Sequence, residues 1–160
     1  MAILQSSWTS SLKQTALFLL LLAFVFWGSR QVNSWMGHRA LEKTGLEYLP
    51  IDTALQVSRE TGKPILVNFS AIWCPGCRKL DKTVFSDKSV KQLIENHFLY
   101  VRLEYDSPND KRWFTHYGVT GFPNLKLLDH TGQVTQQLRI PKTAVKFSET
   151  LTTALSMKQP

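Results

Sequence analysis

Residues 64–85 read PILVNFSAIWCPGCRKLDKTVF, and this stretch decides the fold. Its first eight residues, 64–71, are nearly continuously apolar and rich in β-formers, which predicts a central strand covered on both faces. Cys74 follows at once, and residues 75–84 are helix formers with Pro75 suited to the first turn. The cysteines thus sit at a strand-to-helix junction. Cys74 and Cys77 are the only two in 160 residues, so no disulfide framework holds this chain together. A CxxC at a helix start beside alternating strands and helices is instead a redox dithiol. Unpaired N–H groups and the positive end of the helix dipole favour a thiolate at Cys74, and Cys77, one turn on, reaches its sulfur. Cys74 would attack a substrate disulfide, and Cys77 would then attack Cys74 to release the reduced substrate.

Working outward, residues 51–61 predict a helix with Ala54 and Leu55 on one side, ended by Gly62 and Pro64. Residues 86–89 start a short helix with Val90, Leu93 and Ile94 inward. Residues 98–104 alternate as a strand, and residues 109–117 read as a helix stopped at Gly118. Residues 124–129 and 133–140 form a hairpin around His130, Thr131 and Gly132. Residues 142–157 close the chain as an amphipathic helix with Val145, Phe147, Leu151 and Leu155 as its apolar members. Strands separated by helices imply parallel pairing, and the last hairpin must be antiparallel. Trp113, Phe114 and Tyr117 are read as core residues, and His97 and His116 as surface ones.

Four motifs carry a family resemblance: Gly62-Lys63-Pro64, FSAIWC at 69–74, CRKLDKTVFSD at 77–87 and GVTGFP at 118–123. Over roughly residues 52–138 the chain resembles the thioredoxin superfamily, and within it the C-terminal thioredoxin-like domain of DsbD-type thiol:disulfide interchange proteins. The resemblance implies an α/β thioredoxin fold, a central mixed sheet flanked by helices. It further implies that Pro123 is cis and stands against the cysteines, that the Phe122 backbone offers strand-like hydrogen bonds to a substrate peptide, and that Trp73 shields one side of Cys74. Asp81 matches an acidic position near the active site, where it can tune thiol ionisation or take a proton from Cys77; it also reads as a solvated helix acid. Asn68 stands where thioredoxins carry a buried Asp, and an amide cannot act as a base. Pro75-Gly76 reverses the Gly-Pro of thioredoxin.

The implied activity is thiol–disulfide exchange by Cys74 and Cys77, reducing client proteins outside the cytoplasm, with no cofactor beyond the redox-active disulfide and no metal. The alternatives are an oxidase or isomerase, and a non-catalytic copper or cytochrome assembly factor using the dithiol as ligand, since thiolates suit Cu(I). Zinc needs four ligands, and the scattered His38, His97, His116 and His130 do not complete a set. Without a nucleotide motif, the chain would need a membrane or soluble electron donor to re-reduce the pair.

Residues 16–27, ALFLLLLAFVFW, are an unbroken apolar run. With its two uncharged neighbours it makes a helix of about 21 Å, short of the roughly 30 Å hydrocarbon core. An uncleaved anchor over residues 12–29, with Trp8, Trp27 and Trp35 near the interfaces, a cleaved signal ending near Ser34, and a buried core helix all remain open. The expected organisation is a signal anchor or signal peptide over 1–28, a polar tether over 29–45 and a thioredoxin-like domain over 46–160. The net charge of +7 is spread, with all acids from Glu42 onward. No basic run or nucleic-acid motif is present, which argues against nucleic acid as a partner.

Overall fold

The computed structural model describes the backbone of residues 3–157 and side chains from residue 12. The outermost residues of the expected segments, 1–2 and 158–160, and the side chain of Trp8 lie outside that description.

Helix α1 (Ile3–Thr44) contains the whole apolar run, whose side chains from Leu17 to Trp27 are exposed. It does not end there. The stretch 29–45, expected as a tether, is helical to Thr44 and packs on the rest of the chain. The reason is a stripe of small and polar residues at helical spacing, in which Gly37, Ala40 and Thr44 are buried and Asn33 half-buried. Gly37 fits closest: a Cβ there would lie 1.8 Å from the Ile72 carbonyl oxygen.

Helix α2 (Ile51–Thr61) buries Ile51, Ala54 and Leu55 and ends at Gly62, whose φ of 71° is the left-handed conformation that glycine takes without strain. Strand β1 (Ile65–Ser70) is buried at every position. Helix α3 (Pro75–Leu80) continues into a π-helical turn (Asp81–Phe85), so the single helix expected over 75–84 changes pitch at Asp81. Helix α4 (Lys88–His97) is capped by Asp87, whose carboxylate accepts the N–H groups of Ser89 and Val90. Then come β2 (Leu99–Glu104), α5 (Lys111–His116), β3 (Asn124–Leu128), β4 (Val134–Leu138) and α6 (Ala144–Ser156). In α6, Phe147 and Leu151 face inward while Val145 is exposed, because it lies about 200° around the helix from Phe147.

The sheet order is β2-β1-β3-β4. β1 and β2 are parallel, and β3 runs antiparallel to both β1 and β4. An intervening helix therefore did not make β3 parallel. The link from β2 through α5 leaves and re-enters the sheet at the same end of its strands, the end at which β1 delivers the cysteines.

Each sheet face has its own core. Ile65, Val67, Phe69, Val101 and Leu103 pack under α2 and α5 with Leu55 and Phe114. On the other face Leu66 and Tyr100 join Leu80, Phe85, Ile94, Phe147 and Leu151. Each such fully buried side chain contributes about 1.5–3 kcal/mol. The parallel register places Asn68 beside Arg102 and Ser70 beside Glu104 on this second face. The strand expected over residues 98–104 forms as β2, and Arg102 within it is buried.

Candidate active site

β1 ends at Ser70, and a short turn brings Cys74 to the N-cap of α3 with Pro75 in the first helical position. Both thiols are free. Both are buried, Cys74 at 7% exposure and Cys77 at 2%, so Cys77 is the more enclosed of the pair. The backbone N–H of Cys77 donates to Cys74 Sγ at 3.3 Å. Burial pushes the Cys77 thiol up to about 12, and its hydrogen bond with Cys74 adds to the rise. Hydrogen bonds from the Ala71 backbone and the Ser70 side chain oppose it.

The Phe122–Pro123 peptide bond is cis. Cys74 Sγ lies 3.8 Å from the Phe122 carbonyl oxygen. Gly76 closes against the same proline: a Cβ there would lie 3.2 Å from Pro123 Cδ and 3.7 Å from Cys74 Sγ. The structure thus brings Trp73, Cys74, Pro75, Gly76, Cys77, Phe122 and Pro123 together. A groove beside them is lined by Gly76, Lys79, Leu80, Pro123, Ile140 and Lys142.

Trp73 stacks edge-on against Phe122 at 5.6 Å. Its indole N–H donates to Asp106 at 2.6 Å. Asp106 in turn receives Arg30 of α1 at 3.0 and 3.1 Å, and the Arg30 guanidinium lies 4.9 Å from the Trp73 ring. One turn on, Arg78 of α3 donates to Asn33 Oδ1 of α1 at 3.0 Å. Neither Arg30 nor Asp106 was legible as part of the site, since each is separated from the cysteines by dozens of residues.

Asp81 is buried, which overturns its reading as a solvated acid. Its carboxylate pairs with Arg102 at 2.9 Å, with the two side chains 3% and 1% exposed. Arg102 uses all three nitrogens: Nε donates to Glu104 at 2.7 Å, Nη1 to Asp81 and Nη2 to Ser70 Oγ at 2.8 Å. Burial pushes both Asp81 and Glu104 above the usual carboxylate range, against the pull of the guanidinium. Asn68 donates to Tyr100 Oη at 3.0 Å, while its Oδ1 is buried with no protein partner among the described residues. Sequence reading missed Ser70, Arg102 and Glu104. The available hint was two polar residues, Asn68 and Ser70, spaced to share one face of a strand expected to be buried.

Several known proteins are similar to this chain in sequence or fold. Thiol:disulfide interchange protein DsbD of Escherichia coli O6:H1 is 28% identical over 150 residues, covering 89% of this chain. DsbD of Shigella flexneri matches equally. The chain spans only 26% of the length of these relatives. Among solved structures, a DsbH oxidoreductase superposes with a TM-score of 0.65 at 22% identity, covering 71% of this chain and 86% of its own. The reduced C-terminal domain of Neisseria meningitidis DsbD gives 0.53 at 21% identity, covering 64% and 92%. These two likenesses concern the fold. Residues 51–153, most of the chain and both cysteines, match the thioredoxin-like domain family, and the chain belongs to it.

Proposed function

We propose that this chain is a protein-disulfide reductase acting outside the cytoplasm, with Cys74 as nucleophile and Cys77 as resolving thiol. The carrying observation is the asymmetry of the pair. Cys74 Sγ lies beside Gly76, which lines the groove with Pro123, and accepts the Cys77 N–H, whereas Cys77 is the more enclosed of the two and holds its proton. A client disulfide approaching along Gly76 and Pro123 meets Cys74 first. The Cys74 thiolate attacks one client sulfur, the client disulfide breaks, and the leaving thiolate takes a proton from water. Cys77 then loses its proton to solvent and attacks Cys74, freeing the second client thiol and closing the Cys74–Cys77 disulfide. Two electrons have passed to the client.

The reducing direction follows the resemblance to DsbD-type thiol:disulfide interchange proteins. Client proteins and a thiol-bearing electron donor are the expected partners, and the apolar part of α1 is the expected membrane attachment. Substituting Cys77→Ser should trap clients as mixed disulfides on Cys74, detectable as reducible adducts on a gel. The potential of the pair should fall below about −200 mV, and a value near −120 mV would overturn the reductase reading in favour of an oxidant.

A further inference from the structure

We infer that Arg30 of α1 is a positioning residue of the dithiol site: through Asp106 it holds the Trp73 indole against the cysteines, so the helix that carries the apolar run supplies part of the cover of the active site. Arg30 precedes the thioredoxin-like domain of residues 51–153. The inference rests on the reading of Cys74 as the nucleophile.

Trp73 and Phe122 are half-buried and pack against the cluster of Ala71, Cys74 and Cys77. Their rings meet edge-on at 5.6 Å, and the Phe122 carbonyl oxygen lies 3.8 Å from Cys74 Sγ. The two rings thus form one wall over the sulfurs, with Trp73 as its movable part. An indole has one polar group, the ring N–H, and here it donates to Asp106 Oδ2 at 2.6 Å. Asp106 stands on the turn after β2 and is half-exposed, so it needs a hold of its own. Arg30 provides it. Its Nη2 donates to both carboxylate oxygens, at 3.1 and 3.0 Å, and its guanidinium sits over the Trp73 ring, 4.9 Å from the centroid. The indole is therefore gripped twice, at its N–H through the carboxylate and at its face by the cation.

Further along α1 the same face fixes Arg30 in turn. Asn33 Oδ1 accepts from Arg78 Nη1 at 3.0 Å, and Gly37 leaves no room for a Cβ against the Ile72 carbonyl. Residues 30, 33 and 37 share one side of the helix, and their contacts fall on both flanks of the CxxC, at Ile72 and Trp73 before it and at Arg78 after it. Docking of α1 and placement of Trp73 are one arrangement. With the indole held, Cys74 is approached from the Gly76 and Pro123 side; release of the indole opens a second approach.

The test follows alkylation of Cys74 by iodoacetamide in the reduced full chain in detergent, read by mass spectrometry in dilute buffer. Arg30→Met should raise the rate about threefold, the scale of one half-exposed ion pair, and Arg30→Lys should partly restore the wild-type rate. Asp106→Asn keeps an acceptor for the indole but no charge for Arg30, and should raise the rate by a similar factor. The double variant should be no faster than either single one. The Trp73 indole N–H resonance, identified by its loss in Trp73→Phe, should shift in Arg30→Met. Acting directly on the Cys74 thiolate, loss of a cation and loss of an anion would move the rate in opposite directions; movement in the same direction identifies the shared indole. Where Arg30→Met undocks α1, seen as faster amide exchange across residues 33–44, salt replaces it: about 1 M salt should speed alkylation of the wild type and leave Asp106→Asn at its own rate. A wild-type rate in Arg30→Met with α1 docked, opposite shifts in the two single variants, an additive double variant, or an equal salt response of wild type and Asp106→Asn each overturns the inference. Alkylation involves no disulfide, so a chain that reduces no client can still pass this test, and a working reductase can still fail it.

Discussion

Cys77 is where solvent exclusion does most to set the chemistry. Its thiol is pushed up to about 12 from an ordinary value of 9.0, so the folded chain holds this proton more tightly than the unfolded chain does. That preference adds stability that is whole below about pH 9 and is lost as pH rises towards 12. The melting temperature of the reduced protein should therefore fall more steeply between about pH 9 and about pH 11 than that of Cys77→Ala, with a constant gap between the two below pH 9. Parallel curves throughout would show that burial of Cys77 is unlinked to folding. At this scale the sequence was readable where local spacing carries the chemistry: Cys74, Cys77 and Pro75 lie within four residues, and Pro123 was placed by resemblance. Arg102 was not readable. Strand alternation assigns it to one side of β2 but cannot tell whether that side meets water or an Asp81 more than twenty residues away.

Among the elements, the second half of α1 departs most from expectation. Residues 29–44 contain no strong apolar periodicity, and a face made of Asn33, Gly37, Ala40 and Thr44 hides from hydropathy patterns. Such a face packs through close backbone approach, which depends on what it meets. Gly37 meets the Ile72 carbonyl, two residues before Cys74. Gly37→Ala should push α1 off the domain at a cost of about 1–3 kcal/mol, seen as a lower denaturation midpoint and faster amide exchange across residues 30–44. Unchanged exchange there would mean that the helix docks through its side chains alone. The remaining helices and strands were legible because their caps and periodicities are local. The antiparallel β3 was not, since its direction depends on where the link through α5 re-enters the sheet.

At the scale of the whole molecule, the docked α1 bears on the fate of the N-terminal segment. Arg30 and Asn33 hold Asp106 and Arg78 beside the cysteines, so cleavage near Ser34 would strip two supports from the site. The chain recovered from membranes should retain its full 18.3 kDa by intact-mass measurement and resist extraction by alkaline carbonate. A mature species beginning after Ser34 would overturn the anchor reading and leave a secreted domain.

Because one unbroken helix carries both the apolar run and the contacts to Trp73 and Arg78, the dithiol has a fixed bearing about the axis of that helix. A single residue inserted between Gly28 and Ser29 would turn the cleft about 100° relative to the apolar segment, whereas seven would return it to within about 20°. A partner that grips the apolar helix and the cleft together can meet them only at one azimuth, so α1 sets the bearing of the cleft as well as holding the domain in place.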